Sequence, residues 1–253
     1  MLTHPPLDTL QTLRLTGLDQ ALIEQRQGPD RAALPFEERW GLLVDRALTE
    51  RQNRRLTTRW RQAKLRQTAC IEDSDSRHPR GLAKALLARL ATCPWVREPH
   101  NVLLTGPTGL GKTWLGCALG HQACRDGLPA LSLRLPRCLQ ALPIAKGDGR
   151  YGKLLTTLAK IDVGMLDDGG LAPFSEENRR DLLEIVEDRH DRRATILTRQ
   201  LPVEPWHDAL GDPTLAAAIV DRLVHTAYKI ALHGESMRKR PAKLTRGAGA
   251  DEQ

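Results

Sequence analysis

Residues Asn101 to Thr113 read Asn-Val-Leu-Leu-Thr-Gly-Pro-Thr-Gly-Leu-Gly-Lys-Thr, an apolar run delivered straight into a glycine-rich turn. Val102, Leu103 and Leu104 have the pattern of a short, buried parallel strand. Gly106, Gly109 and Gly111 then let the backbone turn tightly enough for its N–H groups to converge on a polyphosphate. The spacing Gly-x4-Gly-Lys-Thr is complete, so the residues expected to hold ATP are Gly106, Pro107, Thr108, Gly109, Leu110, Gly111, Lys112 and Thr113. Lys112 is placed to reach the β- and γ-phosphates and Thr113 to offer its hydroxyl to Mg2+. The helix that follows turns its positive end to the anion. That helix is expected over Trp114 to Asp126, with apolar residues at 115, 118, 119 and 123, and it stops at Gly127 with Pro129 beyond.

A phosphate loop of this type needs an acid for the metal, and Asp162-Val-Gly-Met-Leu-Asp-Asp168 supplies one at the end of an apolar strand that Gly164 weakens slightly. Asp167 fits the metal role, shared with Thr113, and Asp168 is the residue to polarise an attacking water. Ala194-Thr-Ile-Leu-Thr-Arg-Gln200 reads as a strand lying between those two. It ends in polar residues where a γ-phosphate sits, so Thr198 or Gln200 is placed to orient water, or else simply begins a loop. Arg222, on a late helix, is either an arginine finger that reaches a nucleotide on a neighbouring subunit or an ordinary surface arginine.

Further strands are expected over 130–133, 162–166, 194–198 and 228–232, and helices over 82–90, 136–142, up to Lys160, 175–192 and 214–226. This alternation predicts an α/β architecture, a parallel sheet with flanking helices. The first 67 residues carry no strand pattern and read as helices, Leu7 to Gln25 and Phe36 to Arg66, with a break at Gly28-Pro29. The domain boundaries expected are therefore a small, basic, all-helical region over 1–68, a linker of acidic, small and turn-forming residues over 69–81, a nucleotide-binding domain over 82–237, and a tail over 238–253 that is basic and then flexible.

A formal net charge of +7 over 253 residues favours a polyanionic partner. Helical spacing puts Arg51, Arg55, Arg59 and Arg66 on one arc beside Leu56, Trp60 and Ala63. The arc is either a solvated basic face over a small hydrophobic seam or a grip on the DNA backbone, and the scarcity of acids in this stretch favours the grip. The five cysteines are scattered and read as reduced; Cys117, His121 and Cys124 share a helix face but lack a fourth metal ligand. No apolar run approaches a membrane span and the start of the chain lacks a signal pattern, so a cytoplasmic protein with no membrane partner is expected.

Taken together, these residues resemble the IstB-like ATPases, AAA+ helper proteins of bacterial insertion sequences related to the helicase loader DnaC and the initiator DnaA. The resemblance is carried by Gly106 to Thr113, Asp167-Asp168, the run Arg179 to Arg189, Gln200-Leu-Pro-Val203, Gly211-Asp-Pro-Thr-Leu215, Asp221-Arg-Leu223 and Gly234-Glu-Ser-Met-Arg-Lys239. It implies an AAA+ domain over 82–237 and a DNA-dependent ATPase that assembles with copies of itself on double-stranded DNA, selects or presents a target site, and stimulates a cognate transposase. A DnaC-like helicase loader is the alternative it leaves open. It also implies an arginine-finger box around Arg222, and it gives Lys146, Arg150 and Lys153, otherwise a plain basic turn, a place in a DNA-binding channel. Two departures, Arg199 for a small polar residue and Gly169-Gly170 for a bulkier pair, predict a hydrolysis rate of this chain's own. A small-molecule kinase would use the same loop without needing the arginine-rich helix, and an architectural DNA binder would use ATP only to assemble.

Overall fold

The computed structural model describes residues 5–27, 34–74, 80–168, 174–200, 206 and 210–237. By its contacts the chain divides into two compact units, Met1–Arg61 and Gln62–Gln253.

The first unit is helical: α1 (Pro5–Thr12), α2 (Thr16–Gln27) and most of the long α3 (Phe36–Ala63). The single helix expected over 7–25 is two helices. Arg14 takes a left-handed φ of +56°, and the Leu15 N–H turns back to the Leu10 carbonyl at 2.8 Å, which ends the first helix. Helix α2 approaches α3 so closely that a Cβ on Gly17 would stand 2.8 Å from the Cα of Ala47. Beside this contact the Thr16 hydroxyl donates to Glu50 at 3.1 Å and Arg54 pairs with the same carboxylate at 2.6 Å. The helix expected to run to Arg66 stops at Ala63, where Lys64 turns left-handed at φ +50°. Arg66 therefore leaves the arc on which Arg51, Arg55 and Arg59 stand.

The second unit is built on a five-stranded, wholly parallel sheet. Its strands are β1 (Asn101–Thr105), β2 (Ala130–Arg134), β3 (Val163–Asp167), β4 (Ala194–Arg199) and β5 (Ala227–Ala231), in spatial order β2-β3-β4-β1-β5. Strands β1, β3 and β4 are buried along their whole length, as near-continuous apolar runs in a two-sided parallel sheet should be. Strand β4 does lie between β3 and β1, Leu104 standing opposite Thr198.

The connecting helices are α4 (Lys84–Ala91), α5 (Pro94–Arg97), α6 (Lys112–Arg125), α7 (Leu135–Gly147), α8 (Tyr151–Lys160), α9 (Glu176–Arg189) and α10 (Pro213–Val224). Helix α6 covers one face, and Gly116 lets it approach β3 where a Cβ would meet Met165 at 2.6 Å. On the other face Leu103, Leu166 and Leu197 pack with Leu139, Leu155, Ile185, Trp206 and Ile219 in one apolar core. Helix α7 runs past Pro143 to Gly147 because Leu139, Leu142 and Ala145 bury along it. The basic turn expected over 146–153 therefore shrinks to Asp148–Arg150, and Lys146 belongs to the last turn of a helix.

Two buried polar side chains tie the layers together. Asn101 donates to the carbonyls of Arg222 (3.1 Å) and Leu223 (3.2 Å) and accepts the Thr195 N–H at 2.9 Å, joining β1 to β4 and the end of α10. Arg189, 3% exposed, donates to the carbonyls of Leu158, Ile161 and Ala194 and to the Thr195 hydroxyl. Burial draws its pKa down to about 10. Its guanidinium explains Gly164 in β3, because a Cβ there would lie 2.8 Å from Cζ.

Among the described residues no helix is long and apolar enough to cross a membrane, and no cluster of His, Cys, Asp and Glu has the makings of a metal site. Cys117 and Cys124 are buried and His121 faces Cys70, Sγ to Nδ1 3.8 Å. Burial pushes the Cys93 thiol up to about 12 and that of Cys138 up to about 11, which keeps both protonated.

Candidate nucleotide site

The loop from Gly106 to Gly111 joins the carboxyl end of β1 to the amino end of α6, and Gly106, Gly109 and Gly111 take φ values of +130°, +92° and +84°. Those angles alone favour glycine. Close neighbours add a second reason: a Cβ on Gly106 would fall 2.2 Å from the Leu232 carbonyl oxygen, and one on Gly109 would fall 2.0 Å from Ser236 Oγ. The segment 232–237 lies directly on the phosphate loop, with the Leu232 N–H donating to the Thr105 carbonyl at 2.9 Å and the Met237 N–H to the Gly109 carbonyl at 3.0 Å.

Arg80 completes this support. It is 2% exposed, with Nη1 3.3 Å from the Leu110 carbonyl oxygen and 3.4 Å from Met237 Sδ, and Nη2 3.1 Å from Ser74 Oγ. Its own carbonyl accepts the His233 N–H at 3.1 Å. Arg80 and Gly81, expected in a linker, are thus seated between the phosphate loop and the end of β5. Sequence reading passed over Arg80, and the signal available was its neighbour: Gly81 has φ +77° and would press a Cβ to 2.9 Å from the Ala231 carbonyl oxygen.

Lys112 points its ammonium back into the loop, donating to the carbonyls of Gly106 at 2.6 Å and Pro107 at 2.8 Å. At the end of β3, Asp167 is completely buried. Its Oδ1 accepts the hydroxyls of Thr113 at 2.8 Å and Thr198 at 2.6 Å, and its Oδ2 accepts Arg66 Nη1 at 2.7 Å. A buried carboxylate needs hydrogen-bond partners for both oxygens, and these three donors supply them. The oxygens of Thr113 and Asp167 stand together at the foot of the loop, and the carboxylate already draws a cation. Hard oxygen donors of this kind fit Mg2+.

Asp168 adopts φ +61°. Its Oδ2 accepts Nε of Arg134 at 3.1 Å and Nη2 at 2.8 Å, and its N–H donates to Thr198 Oγ1 at 2.9 Å. The Thr198 hydroxyl, 2% exposed, is thereby committed twice: it donates to Asp167 and accepts from Asp168. Thr198 holds the two acids in place, and Gln200, the other polar residue at this strand end, lines the cavity. Arg134 was not singled out from the sequence. Its signal is its place at the carboxyl end of a parallel strand, where ligands of open α/β sheets bind.

The cavity these residues enclose has a volume of about 440 Å3 and is lined by Thr108, Gly109, Gly111, Lys112, Thr113 and Trp114 on the loop side and by Arg66, Gln67, Arg134, Asp167, Asp168, Thr198, Arg199 and Gln200 opposite. Arg199 is 5% exposed, and its guanidinium lies over the Trp206 ring at 4.9 Å from the centroid.

The other residues singled out from the sequence stand elsewhere. Arg222 is not among the residues lining this cavity; it donates to the Ala218 carbonyl and pairs with Glu187 at 3.1 Å. Lys146 pairs with the buried Asp181 at 2.7 Å and with Glu177 at 3.0 Å, which holds its pKa above the ordinary value, chiefly through the Asp181 hydrogen bond. Arg150 pairs with Asp148, and Lys153 is exposed on α8. In the first unit Arg51 and Arg55 are exposed on α3 and Arg59 is half-buried. Gly169-Gly170, Gln200's successors 201–203 and the tail 238–253 lie outside the described residues, as does the stretch 75–79 within the expected linker.

The model of the family described as IstB-like ATP binding protein matches residues 8–245. The insertion sequence ATP-binding protein y4pL of Sinorhizobium fredii is 48% identical over 94% of this chain and 98% of its own length. The insertion sequence IS1162 ATP-binding protein of Pseudomonas fluorescens is 54% identical over 80% of this chain and 88% of its own. Among solved structures, the DnaC helicase loader superposes with a TM-score of 0.54 at 19% identity, covering 65% of this chain and 97% of that one, a likeness of fold.

Proposed function

Because this chain belongs to the IstB-like ATP-binding family, we propose that it is an ATP-dependent DNA-binding helper of a transposase, which self-assembles on double-stranded DNA, selects or presents a target site, and stimulates transposition by hydrolysing ATP. The observation that carries the nucleotide chemistry is the pairing of Thr113 with Asp167 at 2.8 Å directly below a complete phosphate loop.

On this reading the loop N–H groups and Lys112 bind the β- and γ-phosphates, so Lys112 exchanges its two carbonyl partners for phosphate oxygens. Asp167 and Thr113 are the residues that would hold Mg2+, which would supply charge neutralisation to the phosphates. Arg66 donates to Oδ2 of the same carboxylate. Asp168 orients and polarises the attacking water, while Thr198 fixes the backbone that carries both acids. Arg222, outside the lining of this chain's own cavity, serves as the finger to a neighbouring subunit's nucleotide. In mixed assemblies, hydrolysis by an Arg222→Ala chain should be rescued by a Lys112→Ala chain that still carries Arg222; absence of rescue removes that role. The helical region through residue 68, with Arg51, Arg55 and Arg59, and the surface around Lys146, Arg150 and Lys153 supply the DNA contacts, and the cytoplasm is the compartment where ATP and DNA meet.

The relatives are proteins of insertion sequences, which favours transposition over helicase loading. The test is phosphate release by the purified chain with and without duplex DNA, together with strand transfer by a cognate transposase, with and without this chain and ATP. Duplex-stimulated hydrolysis and ATP-dependent stimulation of strand transfer are expected. Hydrolysis indifferent to DNA, with no effect on the transposase, overturns the proposal.

A further inference from the structure

Arg66 stands three residues past the end of α3, in a segment of the second unit that is held against α6 at several points. Lys64 turns the chain with a φ of +50°, and Leu65 then lies so close to α6 that a Cβ on Gly120 would meet its Cδ2 at 3.0 Å. Further along, Ala69 is buried, Cys70 faces His121, Glu72 pairs with Arg125 at the far end of α6, and Ser74 meets Arg80. The backbone from 65 to 74 is thus laid along the helix that follows the phosphate loop. The Arg66 side chain leaves this segment and remains 49% exposed.

Its guanidinium ends 2.7 Å from Oδ2 of the completely buried Asp167. Oδ1 of that carboxylate takes the hydroxyls of Thr113 and Thr198, which are neutral, so among the described residues Arg66 is the cation paired with this acid. A buried carboxylate left with neutral donors alone is costly, and a positive charge on it offsets that cost. Asp167 is also the acid assigned above to Mg2+, and two cations drawn to one carboxylate repel each other. We infer that Arg66 is an autoinhibitory residue, an internal counter-cation that competes with a divalent cation for Asp167, so that the site takes metal-bearing nucleotide only as the Arg66 side chain swings away. This rests on the nucleotide reading of the cavity proposed above. The anchored backbone and half-exposed side chain suit the part, because release needs rotation about side-chain bonds and leaves the segment from 65 to 74 in place.

The experiment measures equilibrium affinity for ADP with excess Mg2+ and with EDTA, in the full parent chain and in Arg66→Gln; ADP keeps hydrolysis out of the measurement. The quantity read is the ratio of the two affinities, which is the advantage that the metal confers. Removing the competitor should raise this ratio roughly tenfold, the worth of a charge-assisted hydrogen bond, through tighter binding with Mg2+ while affinity in EDTA stays within about twofold. A ratio equal to the parent's makes Arg66 merely structural, and a lower ratio makes it a helper of the nucleotide; either result overturns the inference. A second measurement needs no variant and decides the matter if Arg66→Gln fails to fold. The parent chain, saturated with ADP in Mg2+ or in EDTA, is labelled with an arginine-directed dicarbonyl, and the rate at Arg66 is followed by mass spectrometry. Faster labelling with Mg2+ supports the inference, and equal or slower labelling overturns it. A parent chain that binds ADP in neither condition is a separate outcome, and it removes the nucleotide reading together with what rests on it.

Discussion

The cations at the carboxyl end of the parallel sheet and the arginines along α3 are of the same chemical kind but are used in opposite ways. Arg80 and Lys112 are each less than a tenth exposed and held by backbone carbonyls, and Arg66 and Arg134 are aimed at Asp167 and Asp168. On α3, Arg51 and Arg55 stand exposed, and Arg54 makes a half-exposed pair with Glu50 one helical turn away. A cation held in a fixed geometry acts through the distances to its neighbours, so a single substitution is felt. A cation on an open helix face acts through summed charge, is screened by salt, and is nearly interchangeable with the next one.

The sharpest way to test that contrast is Lys112→Ala. It removes the loop's own cation, and nucleotide binding and turnover should fall by about a thousandfold, measured by labelled-nucleotide titration and phosphate release. Undiminished turnover breaks the assignment of the loop as the catalytic end. Next in size is Arg189→Ala, which touches no nucleotide but leaves the carbonyls of Leu158, Ile161 and Ala194 without their buried donor. Denaturant unfolding should show a loss of about 3 kcal/mol with an unchanged m-value, and a loss below about 1 kcal/mol would mean that water replaces the guanidinium.

Asp168→Asn separates two acids that adjoin in sequence. Binding should persist, since Asp167 and Thr113 remain, while hydrolysis slows by about a hundredfold. Equal losses of binding and turnover would show the two roles to be misassigned. The smallest effect on any one measurement is expected from Arg51→Gln with Arg55→Gln. All duplexes should bind more weakly and alike, and the slope of log affinity against log salt should flatten by about 1.8, near 0.9 for each phosphate no longer neutralised. Unfolding free energy should move by no more than about 0.5 kcal/mol. An unchanged salt slope makes the face merely solvated.

The same contrast governs what could be read from the sequence. The phosphate loop was legible because each residue's part is local: glycine for positive φ, lysine and threonine at a set offset from the strand. The alternation of strands and helices was legible for the same reason, as was β4 between β3 and β1. Arg80 and Arg134 were not, because their partners lie in segments that only the fold brings together, Leu110 and Met237 for one and Asp168 for the other. The breaks at Arg14 and Lys64 had no glycine, proline or asparagine to announce them. Without the second break, helical spacing puts Arg66 on the wrong surface, whereas in the fold it reaches the most buried acid of the site. Lys146 stands elsewhere than expected for the opposite reason: the helix expected over 136–142 runs on through Pro143, carried by the apolar residues on either side.

The contact of Leu232 and Met237 with Gly106 and Gly109 has a consequence for the order in which this chain is made. The phosphate loop leaves the ribosome before residue 115, but both strands that flank β1 come after residue 193, and the segment resting on the loop comes after residue 231. During synthesis the loop waits, first without either neighbouring strand and then without its cover, for nearly half the length of the chain. The loop meets the backbone partners that cover Gly106 and Gly109 only once residues 232 to 237 have arrived. A nascent chain halted before residue 194 carries the complete motif with both edges of β1 unpaired, and such open strand edges are where incomplete chains associate.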